Sequence, residues 1–386
     1  MSIVEQFRAR FGTAPIAVVR SPGRVNLIGE HTDYNEGWVL PAALDLATWV
    51  AAAPRDDGRL RAVALRLEAS DEALLSDLRP RQGLPWTRYV RGVAALLLEA
   101  GCSLRGASLL IDGDLPLGGG LSSSAALELG VALALAEVAG WSIGRRELAL
   151  LAQQAEHLYA GVQCGIMDQL AVALGQAGQA LLIDCRSLEV EAVPIPEAVR
   201  ILVLDTGIPR TLAGSAYNRR RAECEEAVRY LQTFYPEVRA LRDVTPEMLL
   251  EIEGGPGGHG EPSPALRRAR HVVTENRRVL ESVAALRAGD VAAFGQLMDA
   301  SHESLRDDFE VSGPELEAMV EIARATPGVL GARLTGAGFG GCAVALVEAA
   351  AAAAAATSIM ARYREQVQKA GQAYVCTPAA GVGIET

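Results

Sequence analysis

The chain has 386 residues, half of them apolar, and 36 Lys and Arg against 47 Asp and Glu give it a net charge of -11. That length predicts two domains with a cleft between them, and the acidic balance argues against a nucleic-acid partner, which needs clustered Lys and Arg to displace counterions. No apolar run reaches the ~18–20 residues of a membrane span, because Asp45 interrupts residues 38–53 and Glu137 the helical run that starts at Ala125. Residues 1–15, with Glu5, Arg8 and Arg10, lack the continuous apolar core of a signal peptide. Cys102, Cys164, Cys185, Cys224, Cys342 and Cys376 lie far apart with no Cys-x-x-Cys pair, so they read as reduced core thiols of a cytoplasmic protein.

In chain order, residues 17–20 and 107–111 have strand character, and residues 125–139 and 145–159 form long apolar helix candidates. Further strands are expected at 180–183 and 201–204, and the pattern from Tyr217 to Arg287 is helical and heavily charged. This mixed α/β order places a domain boundary near Ser187, with domains at 1–187 and 188–386. Residues 253–264 are too rich in Gly and Pro for regular structure and are expected to be a mobile surface loop, with His259 solvated. Eight alanines at 349–356 predict a helix on propensity alone.

Three segments carry chemistry. Gly118-Gly119-Gly120-Leu121-Ser122-Ser123-Ser124 precedes the helix of 125–139, so glycines let the backbone turn inward and hydroxyls stand where an N-cap belongs. Free N–H groups at such a helix start bind anions. It is not a Walker loop, since Leu121 stands where Lys is required. Gly336 to Gly341 formally matches Gly-x-Gly-x-x-Gly, but residues 342–347 alternate like a strand, so the loop joins two strands and lacks the dinucleotide-binding context. It is either a tight turn at an active site or a structural hairpin.

After a turn at Pro22-Gly23, polar groups crowd between Arg24 and Asn35. Glu30, His31 and Asp33 are too closely spaced to converge on a metal; recognition of hydroxyls suits carboxylates and an imidazole better, with a solvated loop as the plain alternative. Glu156 and Asp168 are acids in apolar settings, which taken singly are ordinary structural carboxylates. Together with the phosphate loop they complete what phosphoryl transfer requires: a carboxylate and a hydroxyl for magnesium, an Asp for the acceptor hydroxyl, and a cation for the charge on the γ-phosphate.

Gly23-Arg-Val-Asn-Leu-Ile-Gly-Glu-His-Thr-Asp-Tyr-Asn35 resembles the signature of the galactokinase family. Pro116-Leu-Gly-Gly-Gly-Leu-Ser-Ser-Ser-Ala125 and Arg333-Leu-Thr-Gly-Ala-Gly-Phe-Gly-Gly-Cys342 resemble the second and third motifs of the wider GHMP kinases, and the segments at 164–169, 181–188 and 217–221 extend the likeness over nearly the whole chain. The resemblance implies a two-domain α/β (α+β) fold, ribosomal-protein-like at the N-terminus and ferredoxin-like at the C-terminus. It implies transfer of the γ-phosphate of ATP to the anomeric hydroxyl of α-D-galactose, the first step of galactose catabolism, by a monomeric cytoplasmic enzyme with Mg2+. Its sugar contacts match Glu30, His31, Thr32, Asp33, Gly165, Asp168 and Tyr217, its ATP loop Gly118 to Ser124, and its magnesium ligands Ser124 and Glu156. Asp168 matches the base, and Arg24 the residue between that base and the γ-phosphate.

Ala337 departs from the glycine usual in the third motif and is tolerable there only with negative φ. Ala216 stands where Glu is common, and Asp205-Thr206-Gly207 replaces a segment with Asn in some relatives. A galactose sensor of the same family is disfavoured because Ser122-Ser123-Ser124-Ala125 and Asp168 are complete. Homoserine or mevalonate as acceptor is disfavoured by the run from His31 to Asn35.

Overall fold

The computed structural model describes residues 1–80, 82–116, 120–208, 213–253 and 263–385. Helix α1 (Ile3–Phe11) opens on a Ser2/Glu5 capping box and closes on Gly12 in the left-handed conformation. It leads into β1 (Ala17–Asn26), β2 (Trp38–Val39), β3 (Pro41–Pro54), β4 (Arg59–Ala64), β5 (Ala69–Leu74), α2 (Thr87–Glu99) and β6 (Ala107–Gly113). Next come α3 (Ser123–Ala139), α4 (Arg145–Ala155), α5 (Met167–Leu174), β7 (Gln179–Asp184) and β8 (Val190–Pro194). The second half runs β9 (Val199–Asp205), α6 (Ala213–Leu231), α7 (Pro246–Glu253), α8 (Pro264–Arg287), α9 (Val291–Asp307), α10 (Pro314–Arg324), β10 (Val329–Leu334), β11 (Cys342–Glu348), α11 (Ala352–Val367), β12 (Gln372–Cys376) and β13 (Gly383–Ile384).

Among the described residues, β1, β3, β4, β5, β6 and β13 form one mixed sheet in the order β13-β1-β3-β6-β4-β5, parallel only between β4 and β6. Leu129 and Leu133 of α3 and Leu148 of α4 pack with Val50 and Leu109 of the strands, and Phe7 of α1 joins Ala51 and Leu110 in a separate cluster. A second, antiparallel sheet has the order β10-β11-β9-β12. This is the βαββαβ arrangement expected of a ferredoxin-like domain. Met319 of α10 and Ile359 of α11 pack with its Leu202 and Val347, while Ile201 and Val203 join Val25, Leu27 and Ile28 of the first half and Val279 of α8. That shared apolar seam fixes the two halves against each other where the polar segments meet. A third, small sheet has the order β2-β7-β8.

Three expectations need correction. Pro22-Gly23 is no turn: β1 continues through it, and its register on β3 shifts between Pro22 and Arg24, a bulge that accommodates the proline. Gly23 packs closely here: a Cβ would lie 2.3 Å from Leu115 Cδ1 and 3.0 Å from the Leu121 carbonyl oxygen. The helix expected over 145–159 is α-helical only to Ala155 and then widens into a π turn, Glu156–Ala160. Of the alanine run, Ala349 to Ala351 stay outside α11, in a turn leaving β11 where the Ala349 N–H donates to the Ala198 carbonyl at 2.7 Å and the Ala351 N–H to the Glu348 carbonyl at 2.9 Å. The loop at 253–264 falls mostly outside the described residues, His259 included.

Candidate active site

Arg24, on β1 just beyond the bulge, is buried, and its Nε and Nη2 lie 2.8 and 2.6 Å from Asp168 Oδ1. Its Nη1 donates to the Gly120 carbonyl at 2.8 Å. Asp168 stands in the first turn of α5, and its other oxygen accepts the Ser122 hydroxyl at 2.5 Å. Thus β1, the loop before α3 and the start of α5 converge on one carboxylate. Ser122 occupies the N-cap position of α3, but its φ is +54° and its side chain caps nothing. The expectation of a capping hydroxyl therefore fails at Ser122: a left-handed backbone turns the side chain toward Asp168 and leaves the first N–H groups of α3 without a side-chain cap.

Arg24 and Asp168 line a cavity of about 330 Å³ together with Glu30, His31, Asp33, Glu156, Gly165, Tyr217 and Ala337. Glu30 Oε1 accepts from the Gly336 N–H at 2.6 Å and the Thr335 hydroxyl at 3.0 Å, which ties the first polar segment to the glycine loop after β10. His31 holds φ +63° and is stacked on Phe309, with ring centroids 4.5 Å apart. Its Nδ1 is 2.9 Å from the Tyr34 hydroxyl, and its Nε2 makes no hydrogen bond of ordinary geometry among the described residues. Burial, with His271 and Arg220 nearby, holds its pKa well below the usual histidine value, so the ring is neutral at pH 7. Asp33 is pushed up to about 7, first by burial and then by Asp168. Gly165 has no room for a side chain, since a Cβ would stand 1.8 Å from Asp33 Oδ2.

Tyr217, near the start of α6, closes the wall with its ring centroid 5.8 Å from His31 and 5.4 Å from Tyr34. Thr32 differs from the other expected contacts: it lies behind the cavity, fully buried, with its hydroxyl 2.8 and 2.7 Å from the carbonyls of Gly29 and Trp38. It shapes the turn and does not line the cavity.

A second cavity of about 170 Å³ adjoins the start of α3, walled by Trp86, Ile111, Leu115, Ser123, Ser124 and Leu127. Tyr89 borders both cavities, so they are neighbours. Of the expected phosphate loop, Gly120 has φ +83°, Leu121 is fully buried and Ser122 to Ser124 lead into α3; Gly118 and Gly119 lie outside the described residues. Glu156, on the π turn, is buried and accepts from Gln169 Nε2 at 2.8 Å; burial and then Asp168 push its pKa up to about 7, against a hydrogen-bonding contribution from Ser124. Glu128, one turn beyond Ser124 in α3, is a fully buried carboxyl raised well above its ordinary pKa by burial and by Glu156.

Glu30, Asp33, Glu156 and Asp168 thus line one cavity, with Arg24 the one guanidinium among its described lining residues. This negative surplus suits donor hydroxyls and a hard cation. Tyr89, Trp86, Glu128 and Gln169 were not anticipated as parts of the site. Trp86 and Tyr89 stand three apart at the start of α2, which in sequence looks the same as a core pair, and Glu128 is one of two acids in α3, the other being the exposed Glu137, with nothing in the sequence to tell them apart. The glycine loop reaches the larger cavity, where Gly336 and Ala337 form part of the lining. Ala337 keeps a negative φ as its methyl requires, while Phe339 takes φ +59°.

The chain matches the galactokinase galactose-binding signature over residues 5–54, the GHMP kinases N terminal domain over 88–176 and the GHMP kinases C terminal model over 282–365. It is 51% identical to a galactokinase of Roseiflexus sp. (strain RS-1) over 380 residues, covering 98% of this chain and 95% of that protein. A galactokinase of Chloroflexus aggregans is 50% identical over 381 residues, with 99% and 96% covered. The crystal structure of Lactococcus lactis galactokinase complexed with galactose superposes with a TM-score of 0.91 at 38% identity, over 99% of this chain and 98% of that one.

Proposed function

The chain belongs to the galactokinase family of GHMP kinases, and from that premise we infer that its adjoining cavities serve one reaction, transfer of the γ-phosphate of ATP to the anomeric hydroxyl of galactose. The products are galactose 1-phosphate and ADP. The observation that carries the assignment of roles is the Arg24–Asp168–Ser122 cluster, which joins the sugar-side loop to the phosphate-side loop at one carboxylate.

Galactose occupies the larger cavity, with Glu30, His31, Asp33 and Tyr217 around its hydroxyls and Gly165 leaving the space that Asp33 needs. The adenine lies in the smaller, more apolar cavity, and the phosphates meet the first N–H groups of α3, beside the loop segment Gly118 to Ser124 that the family resemblance assigns to ATP. Asp168 orients the anomeric hydroxyl. As the sugar oxygen bonds to the γ-phosphorus, the bond to the bridging oxygen breaks, ADP leaves with its electron pair, and the hydroxyl proton passes to Asp168. Arg24 offsets the charge on the transferring group. Magnesium fits the donor set: Ser124 and Glu156 offer hard oxygens beside an excess of carboxyls and would hold it. When bound, it neutralises charge on the β- and γ-phosphates. We also place the domain boundary near Ser187, in the turn between β7 and β8, and take the enzyme to be a cytoplasmic monomer.

The test is ADP release with MgATP against galactose, galactosamine, N-acetylgalactosamine, glucose, arabinose, homoserine and mevalonate. Galactose-dependent release far above the others is expected. Strong turnover of another sugar would move the specificity, and galactose binding without turnover would make the chain a sensor.

A further inference from the structure

The polar loop after β1 takes an uncommon conformation. Gly29 has φ +98° and His31 φ +63°, and a left-handed residue with a side chain persists where its surroundings over-determine it. Within the loop, Thr32 donates to the Gly29 and Trp38 carbonyls and Asn35 to the His31 carbonyl; from outside it, a second set of restraints comes from α8, some 240 residues away in sequence. Glu275, fully buried, accepts the Gly29 N–H at 2.9 Å and the Ser301 hydroxyl at 2.6 Å on Oε1, and Arg278 Nε at 2.7 Å on Oε2. One turn earlier, His271 Nε2 lies 3.0 Å from the Glu30 carbonyl and its Nδ1 2.9 Å from the Ser304 hydroxyl. Asn276, which follows Glu275, accepts the Trp38 N–H at 2.9 Å. One turn later, Val279 closes on Gly29, where a Cβ would come within 2.9 Å of its Cγ2.

Helix α8 therefore holds the loop by backbone groups at both ends, Gly29 and Glu30 at the start and Trp38 at the finish. Between these anchors hang Glu30, His31 and Asp33, three side chains of the larger cavity. The three anchoring residues of α8 do not line that cavity. The buried Glu275 remains charged: burial alone would raise its pKa, but Arg278, His271 and Arg333 hold it down at about 2.

We propose that Glu275 and Asn276 are positioning residues for sugar recognition, clamping the backbone of residues 29–38 on α8 so that Glu30, His31 and Asp33 meet the sugar without any contact from the clamp itself. This rests on reading the larger cavity as the galactose site. Glu275→Gln keeps an acceptor for Gly29 but turns an amide N–H toward Arg278; Asn276→Leu removes the acceptor for Trp38, and Asn276→Asp restores it.

The experiment measures galactose affinity by calorimetry without nucleotide, and the KM values for galactose and ATP on the folded protein. For Glu275→Gln and Asn276→Leu, galactose affinity should fall and its KM rise by about tenfold or more, the usual scale for losing a hydrogen bond to a charged or buried partner. The ATP KM should stay within about twofold, and Asn276→Asp should recover the galactose value. A purely structural role would lower the melting temperature of these variants and leave both KM values unchanged, which would overturn the clamp. Equal increases in both KM values would overturn it as well. If the unmodified protein bound no galactose, it is the site assignment that would fall.

Discussion

The wall that carries Glu30, His31 and Asp33 is fixed group by group, whereas the wall at the start of α3 offers backbone N–H groups with hydroxyls beside them. On the first, Glu30 is tied to Gly336, His31 is stacked on Phe309, and the loop backbone is held by Glu275 and Asn276. On the second, the described residues give α3 no side-chain cap, and the neighbouring cavity is mainly apolar. A sugar is distinguished by where its hydroxyls point, so acceptors must be held in place before it arrives. A phosphate is recognised by charge and by N–H groups that a helix start supplies without further construction. Substitutions on the two walls should therefore separate cleanly, with Asp168 belonging to both.

The largest effect is expected at that shared residue. Asp168→Asn should lower kcat by about 10³-fold while galactose affinity, read by calorimetry, changes only a few-fold; near-normal turnover would remove Asp168 from the chemistry. Next is Gly165→Ala, whose new methyl collides with the Asp33 carboxylate. Displacing that carboxylate by about 1 Å should raise the galactose KM up to about 100-fold and leave the ATP KM alone, a split that steady-state kinetics reads directly. On the other wall, Ser124→Ala should raise the MgATP KM by about tenfold with galactose affinity intact. Loss of galactose binding in that variant would blur the division between the walls.

The smallest effect concerns pH. Asp33 is raised to about 7 in the folded protein, so the folded chain keeps a proton there that the unfolded chain has lost. Its contribution to stability is present below the ordinary Asp pKa and is lost as pH rises toward 7. Galactose hydroxyls favour the carboxylate, so binding should release a proton near neutrality and weaken about fivefold from pH 7 to pH 6. Calorimetry in buffers of different ionisation enthalpy checks the proton, and uptake in place of release would show that the sugar meets a protonated Asp33.

Much of the site was legible because its chemistry is local. Residues 23–35, 164–169 and 333–342 each place their functional groups within a few positions, and the chain brings those segments together. Thr32 was grouped with the sugar contacts because it is flanked by them, yet its hydroxyl closes the turn from behind. Ser122 reads as an N-cap by residue type, and only its left-handed φ shows that its hydroxyl goes elsewhere. The π turn at Glu156 leaves no mark in hydrophobic spacing, because one widened turn barely shifts a short pattern. Glu275 and His271 were invisible for another reason. In sequence they are ordinary polar positions of a charged helix, and their partners Gly29 and Glu30 are backbone groups, which no residue type reports.

Asp168 and Arg24 are placed to address the anomeric hydroxyl across the junction of the two walls. Phosphorus NMR of the product made from galactose and MgATP reads out which hydroxyl is used. One sugar phosphate is expected, its phosphorus coupled to the anomeric proton; a phosphorus coupled to the protons on carbon 6, or no sugar phosphate at all, would rule this placement out.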